Sequence, residues 1–316
     1  MPEIRGVRFE GASWRHDTLG TSVRLRVIYN PAAGRGRAKS HIRDVERHLR
    51  NLGADVETYA SLSPEDLTRE AAESSRGGFD RVVVCGGDGT LNRALRRFDL
   101  SCGTLALIPL GSGDDFARVN GIPRDAKGAC EVAVQGRVRE VDIATANNLP
   151  YAGVAGLGFD SEVARFANER VKHIHGSAVY LYAILRVLPN FTPRRVCIDG
   201  RDEEIMFVVF GNSPQYGGGI KITPDASLDD GLLDACIIHR TSRLQLLTTL
   251  PRAYNGTHVR KSFVEMRRAA EFRVESEVPM DVYADGEPLT TTPVHFAIAT
   301  EKLRICVRTG FSRSGG

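Results

Sequence analysis

Arg81-Val82-Val83-Val84-Cys85-Gly86-Gly87-Asp88-Gly89-Thr90-Leu91-Asn92 is the stretch on which the fold turns. Val82 to Cys85 are all apolar and mostly β-branched, which favours a strand, and the lack of polar alternation requires that strand to be buried on both faces. It ends in three glycines around one carboxylate, set before a short helix. A buried strand that opens through a glycine turn into a helix is the repeating half of a parallel, helix-covered sheet. The same unit recurs on both sides. Upstream, Leu25-Arg26-Val27-Ile28-Tyr29 leads through a turn at Asn30-Pro31 to Ile42, Val45, Leu49 and Leu52 at helical spacing, with Gly53 as the stop. Val56 to Ala60 follows as a strand, and Ser63-Pro64-Glu65 opens a helix over 66–75. Downstream, Leu105-Ala106-Leu107-Ile108-Pro109 supplies a fourth strand, with a helix expected after Gly113.

Past Asp142 the texture changes to short strands and turns. Tyr151–Phe159, Arg195–Ile198, Glu204–Phe210, Leu232–Ile238, Phe272–Val274, Met280–Tyr283, Val294–Ala299 and Arg304–Val307 read as strands. Helices are expected over Ser161–Pro189, with a break near Gly176, and over Arg243–Tyr254. The chain of 316 residues thus divides into a loosely ordered leader over 1–23, an α/β domain with a parallel sheet over 24–145, and a mainly β sandwich over 146–299. Formal charge is +3, from 42 basic against 39 acidic residues, so a dedicated nucleic-acid binder is excluded and no nucleic-acid partner is expected. The six cysteines never approach a CxxC spacing, which fits reduced thiols and a cytoplasmic setting. No apolar run reaches the roughly 18 to 20 residues needed to span a bilayer.

An open parallel sheet binds its ligand in the loops at the carboxyl ends of its strands. The first such loop, Asn30-Pro31-Ala32-Ala33-Gly34-Arg35-Gly36-Arg37, has glycines that let backbone N–H groups approach a phosphate and arginines that supply charge, but a tight turn with solvated arginines explains it equally well. In the second, Gly86-Gly87-Asp88-Gly89-Thr90, a plain turn needs fewer glycines and no acid. An acid beside a polyphosphate is unfavourable unless a cation intervenes, so Asp88 points to Mg²⁺ or to proton acceptance. The third, Leu110-Gly111-Ser112-Gly113-Asp114-Asp115-Phe116, offers a hydroxyl for a phosphate, with Asp114 as a ligand-side acid or a helix cap.

In order and spacing, these three loops resemble the nucleotide-loop motifs of the diacylglycerol kinase catalytic family, to which sphingosine and ceramide kinases also belong and to which NAD kinases are distantly related. The resemblance continues through Tyr216-Gly-Gly-Gly219, Thr223-Pro-Asp-Ala226, Leu228-Asp-Asp-Gly-Leu-Leu-Asp234 and Asp285-Gly-Glu287. Two positions depart from it: Asp114, where the family usually has Asn, and Ser112, where Thr is common. The resemblance implies a Rossmann-like nucleotide domain completed by residues 300–312, and a β-sandwich lipid domain. It implies ATP contacts from Asn30, Pro31, Ala32, Ala33, Gly34, Ser61, Gly86, Gly87, Asp88, Gly89, Thr90, Leu91, Asn92, Arg93 and Ser112. Glu287 matches the proton acceptor, with Asp285, Asp88 and Asp142 as the surrounding acids; the sphingosine-kinase branch would favour Asp88 as the base. A Mg²⁺ site is implied at the Asp230 side chain with the carbonyls of Ser227 and Leu232, although Asp229-Asp230-Gly231 also reads as an ordinary hairpin turn.

The implied reaction is ATP- and Mg²⁺-dependent phosphorylation of diacylglycerol to phosphatidic acid. Sphingoid bases, ceramide, other lipid alcohols or a soluble nucleotide are alternative acceptors, and a nucleotide-binding regulatory module without catalysis is the alternative class. The lipid would be met at the inner face of the membrane by transient, peripheral association, and a homodimer is compatible with the family. Ala178–Leu188 is apolar nearly all round, so it is either buried between domains or lies at a lipid entrance. His173 and His175 lack metal-spaced partners and read as solvated, and Trp14 reads as covering an edge of the fold.

Overall fold

The computed structural model describes residues 22–32, 36–171 and 177–310. The leader up to residue 21 with Trp14, the loop positions Ala33, Gly34 and Arg35, the pair His173 and His175, the expected break at Gly176, and residues 311–312 lie outside the described residues. The first half runs β1 (Arg24–Tyr29), α1 (Arg37–Asn51), β2 (Asp55–Ala60), α2 (Pro64–Arg76), β3 (Arg81–Gly86), α3 (Asp88–Leu95), β4 (Thr104–Pro109), α4 (Asp115–Val119), α5 (Ala126–Gln135) and β5 (Arg137–Val141). The second runs β6 (Ala144–Ala146), β7 (Leu149–Tyr151), β8 (Val154–Gly158), α6 (Phe159–Arg170), α7 (Ser177–Val187), β9 (Arg194–Ile198), β10 (Arg201–Gly211), β11 (Leu233–His239), α8 (Arg243–Tyr254), β12 (Val264–Ala269), β13 (Glu271–Glu275), β14 (Asp281–Ala284), β15 (Glu287–Thr291), β16 (Val294–Ile298) and β17 (Leu303–Val307).

The first sheet has the order β2-β1-β3-β4-β17-β5, parallel except for β5. Its strands are as buried as their composition demands: Val82 to Cys85 and Leu105 to Ile108 are almost wholly covered, and helices supply the covering faces. Helix α2 starts where Ser63 accepts the Asp66 N–H at 3.1 Å and Pro64 takes the first turn, as the sequence dictates. The chain leaves β1 toward β2 but returns with β3 on the other side of β1, so the strand order reverses between β1 and β3. A crevice forms at such a reversal, and here it is flanked by the turn at Asn30 and the glycines at 86–89.

The second sheet is antiparallel and eleven-stranded, with β11 and β12 branching from β10. Strand β10 divides two cores by simple alternation. Val208 and Phe210 enter the sandwich core, where Phe210 stacks on Phe296 with ring centroids 4.1 Å apart, while Phe207 and Val209 face the helical layer of α6, α7 and α8. Strand β11 repeats this, with Ala235 and Ile237 on one side and Cys236 and Ile238 on the other. A strand buried on both faces explains the unbroken apolar run Ile205 to Phe210. The second core lies under the helices, next to the functional cavity.

Candidate active site

The second and third glycine loops touch through bare backbone. A Cβ on Gly111 would fall 2.6 Å from the Cα of Gly87, so neither position admits a side chain without parting the loops. Asp114, in left-handed conformation at φ 52°, turns its carboxylate back to accept the Gly111 N–H at 2.9 Å and lies 3.6 Å from Arg124. The acid that departs from the family pattern therefore braces its own loop. Asp88 opens α3, and its carboxylate accepts the N–H groups of Asp115 at 3.2 Å and Phe116 at 3.3 Å in the first turn of α4. Asp115 carries the charge that faces Asp88. A Cβ at Gly113 would lie 3.1 Å from Asp88 Oδ2 and 3.3 Å from Asp115 Oδ2, so the two carboxylates converge on one glycine. Burial raises the Asp115 carboxyl above its usual range, the Gly218 N–H donated to it at 2.6 Å opposes this, and the Asp88 charge adds to the rise.

The opposite wall is the turn between β14 and β15. Asp285, also left-handed at φ 51°, accepts N–H bonds from Ala152, Gly153 and Val154, each at 3.0 Å, and one from Asn92 Nδ2 at 3.3 Å. Burial pushes its carboxyl up to about 6, with those donors holding it back. With both oxygens accepting, Asp285 anchors the turn to α3 and β8. Glu287 is half-buried and pairs with Arg93 at 2.7 Å, and a Cβ on Gly89 would lie 3.3 Å from Glu287 Oε1. Arg96 donates to the Pro288 carbonyl at 3.0 Å. Helix α3 is thus stitched along one side to the turn that carries Glu287.

Between the walls lies a cavity of about 590 Å³. Asn30, Gly87, Asp88, Gly89, Thr90, Leu91, Arg93, Ser112, Asp285 and Glu287 all line it, so residues from both halves of the chain share one space. Asp115, Asp160, Tyr180, Gln215 and Tyr216 line it too and were missed among the candidate residues, although Asp115 and Tyr216 fall inside quoted motifs. Tyr216 donates to Asp160 Oδ1 at 2.6 Å, and burial pushes the Asp160 carboxyl up to about 6. The signal for Asp160 was weak, since one acid at a helix start is common. Beyond this polar belt the wall is mostly apolar, from Phe159 and Val163 of α6, Ile184 of α7, Phe207 of β10, Ile238 of β11, and Leu246 and Leu250 of α8.

The remaining candidates lie off this wall. Pro31, Ala32, Gly86 and Asn92 stand beside it. Asn92 is fully buried against Asp285, and Ser61 turns its hydroxyl to the Tyr29 carbonyl at 3.3 Å. Asp142 departs from the expected acidic set: it is buried at the domain junction, paired with Lys302 at 2.7 Å and accepting the Gly231 N–H at 2.7 Å. Its charge is already compensated. The turn of Ser227, Asp230 and Leu232 is also separate from the cavity. One Asp230 oxygen accepts the Leu232 N–H at 3.0 Å and the other pairs with Arg268, so a cation there must displace the guanidinium. Asp88 and Asp115 are hard oxygen donors whose mutual repulsion a cation would relieve, with Arg118 3.4 Å from Asp115 already supplying part of that charge. A third acidic group, Glu203 and Glu265 around His239 on the outer sheet face, is already bridged by Arg267.

Residues 24–146 match the family model of the diacylglycerol kinase catalytic domain, and residues 153–307 match that of the YegS C-terminal NAD kinase beta sandwich-like domain. A diacylglycerol kinase of Bacillus subtilis is 31% identical over 272 residues, spanning 84% of this chain and 89% of its own. One from Mycobacterium tuberculosis is 32% identical over 293 residues, spanning 89% and 94%. A solved Bacillus anthracis structure, provisionally described as a diacylglycerol kinase, shares the fold with a TM-score of 0.80 at 23% identity, covering 95% of this chain and all of that one. The α/β domain with glycine loops and the sandwich that brings carboxylates to the seam fit the class these matches show, a kinase. The chain belongs to the diacylglycerol kinase family of lipid kinases.

Proposed function

We propose that the protein transfers the γ-phosphoryl group of ATP to the hydroxyl of diacylglycerol, giving phosphatidic acid. The observation that carries this reading is the single cavity in which Asp88 and Glu287 share walls with an apolar reach. Phosphoryl transfer asks the protein chiefly for positioning and charge neutralisation. Backbone N–H groups of the glycine loops and the start of α3 face the phosphates. Arg93, one end of an ion pair with Glu287, also lines the cavity and places a cation on the acceptor side. Glu287 takes the proton of the attacking hydroxyl, and Asp88 with Asp115 would hold Mg²⁺, which supplies charge neutralisation on the nucleotide phosphates. The acyl chains occupy the wall of α6, α7 and α8. A chain that draws its acceptor from a bilayer works at the membrane surface, and the outward residues Leu181, Tyr182 and Leu185 of α7 favour transient association there. Among the described residues no helix is long and apolar enough to cross a membrane.

The test is radiolabelled ATP with a panel of lipid alcohols, with and without Mg²⁺. Diacylglycerol is expected to give the highest turnover, and Glu287→Gln to lower it about 10²- to 10⁴-fold while the melting temperature stays close to that of the parent. Sphingoid base or ceramide as the preferred acceptor would move the reading within the family. Turnover of no lipid at all, with ATP still bound, would leave a nucleotide-binding regulatory module. Full activity in Glu287→Gln would transfer the base role to Asp88.

A further inference from the structure

Tyr180 of α7 stands where the polar belt of the cavity meets its apolar reach. Its ring packs on the core under the helices and forms part of the cavity wall. A Cβ on Gly286 would fall 3.2 Å from its hydroxyl oxygen, so the hydroxyl reaches the turn that carries Glu287. Burial, and after it the charges of Asp160, Asp88, Glu287 and Asp115, push its pKa up to about 12, so the phenol keeps its proton and is a donor. Among the described residues the hydroxyl has no hydrogen-bond partner, and its oxygen is accessible rather than sealed in the core. The donors around it are committed elsewhere. Asn168 gives a hydrogen to the Gly286 carbonyl at 2.7 Å, Tyr216 gives its own to Asp160 at 2.6 Å, and Gln215 reaches Asp115 at 3.4 Å. At this point the wall therefore asks a ligand for an acceptor, set between Glu287 and the hydrocarbon-lined part of the cavity.

We propose that the Tyr180 hydroxyl donates a hydrogen bond to the ester carbonyl beside the reacting hydroxyl of a glycerolipid, and so selects an ester-bearing acceptor over an ether lipid or a sphingoid base. The proposal rests on the reading of the cavity as the site of a lipid acceptor whose hydroxyl meets Glu287. Such a glycerolipid presents its groups in a fixed order: the hydroxyl, the ester on the next carbon, then hydrocarbon. With the hydroxyl at Glu287 and the chains against α6, α7 and α8, the carbonyl falls at the boundary that Tyr180 occupies. An ether at that carbon lacks the carbonyl oxygen, and the ammonium of a sphingoid base has no lone pair to receive the phenol hydrogen.

The test compares dioctanoylglycerol with an analogue of equal chain length that has an ether in place of the ester next to the hydroxymethyl group. Turnover and the thermal shift given by each lipid are measured in the parent and in Tyr180→Phe, which keeps the ring and removes only the hydroxyl. The parent is expected to favour the diester about tenfold in kcat/KM, and the variant to lose about tenfold on the diester while staying within about twofold on the ether. The larger melting shift with the diester is expected to vanish in the variant, and ATP affinity to stay unchanged. Equal losses on both lipids would reduce Tyr180 to a packing role and overturn the proposal. A fall in ATP affinity would place the hydroxyl on a phosphate and overturn it too. A parent that treats the two lipids alike overturns it even where the variant folds poorly. Ester-selective shifts that depend on Tyr180, without phosphorylation of any lipid, would uphold the contact while removing the kinase reading. Turnover of both lipids without ester preference would do the reverse.

Discussion

Single side chains in this protein are asked either to hold the walls together or to face the reaction, and burial separates the two. Asp285 is wholly engaged by four donors, whereas Glu287, two residues on, keeps one carboxylate edge beside Gly89 and pairs, among the described residues, with Arg93. The sequence names the Asp285-Gly-Glu287 turn but does not divide its labour, because that depends on Asn92 and the 152–154 segment arriving from elsewhere in the chain. Asp160 was illegible for a related reason: its burial and its bond to Tyr216 exist only after α6 packs on β8. Burial raises its pKa from 3.8 to about 6, so the folded protein retains a proton that the unfolded chain releases. Its contribution favours the folded state most below about pH 4 and is lost as pH rises through 6, roughly 3 kcal/mol at most. Asp160→Asn keeps an acceptor for Tyr216 and removes the titration. Urea unfolding from pH 4 to 7 is expected to show a flatter stability profile for the variant and a gain over the parent above pH 6. Parallel profiles would show that Asp160 does not titrate in this window.

Elements were legible wherever one physical requirement governed a run of residues. The strands β1, β3 and β4, buried on both faces, and the capped helix α2 follow from composition alone, and α8 was read over Arg243–Tyr254, the bounds it has. Strands β6 and β15 lie outside the expected set, as do β5 and β12. The latter two are rich in charge, and Glu265 and Arg267 of β12 lie among Glu203 and His239 on an outer face, so apolar alternation was masked by ion pairs. The helix expected after Gly113 is only the short α4, stopped by Gly121 at φ 65° with Pro123 just beyond. For α7 the sequence offered two fates, burial between domains or a place at a lipid entrance, and the helix has one face on the cavity and another exposed. Tyr180 and Ile184 line the cavity and Ala183 is buried, while Leu181 and Leu185 on the other side are about half exposed. Apolar surface of that kind is costly in water and is relieved in a lipid interface. Leu181→Asp with Leu185→Asp is therefore expected to lower sedimentation with phosphatidylglycerol vesicles at least fivefold and to slow turnover of vesicle-borne diacylglycerol. Turnover of a short-chain diacylglycerol in solution should stay within about twofold. Equal vesicle binding by variant and parent would exclude this face.

At the scale of the molecule, the last strand decides whether the two halves are separable. The chain completes the sandwich at β16, then crosses back so that β17 lies between β4 and β5 in the first sheet. Crossing the junction, Lys302 supplies the cation for the buried Asp142, whose backbone N–H donates to the Leu228 carbonyl at 2.6 Å. Leu303, Ile305, Cys306 and Val307 are fully buried in the core of the α/β half. At about 1.5–3 kcal/mol for each large apolar side chain, their loss approaches the whole 5–15 kcal/mol that stabilises a typical domain. Removing Lys302 also takes the cation from the buried Asp142 carboxylate, a further loss. A chain ending at Ala299 retains every glycine loop and every cavity residue named above, yet it leaves β4 as an edge paired with β3 alone and β5 without a sheet. If the α/β half were self-sufficient, such a chain would still bind ATP and resist proteolysis over 24–141. The expected outcome is the opposite: an aggregating or protease-sensitive product with no cooperative melting of the α/β half. A chain ending at Thr309, which keeps β17, is expected to melt as the parent does. A truncation at 299 that melts cooperatively and binds nucleotide would show that the return strand joins the halves without stabilising the first.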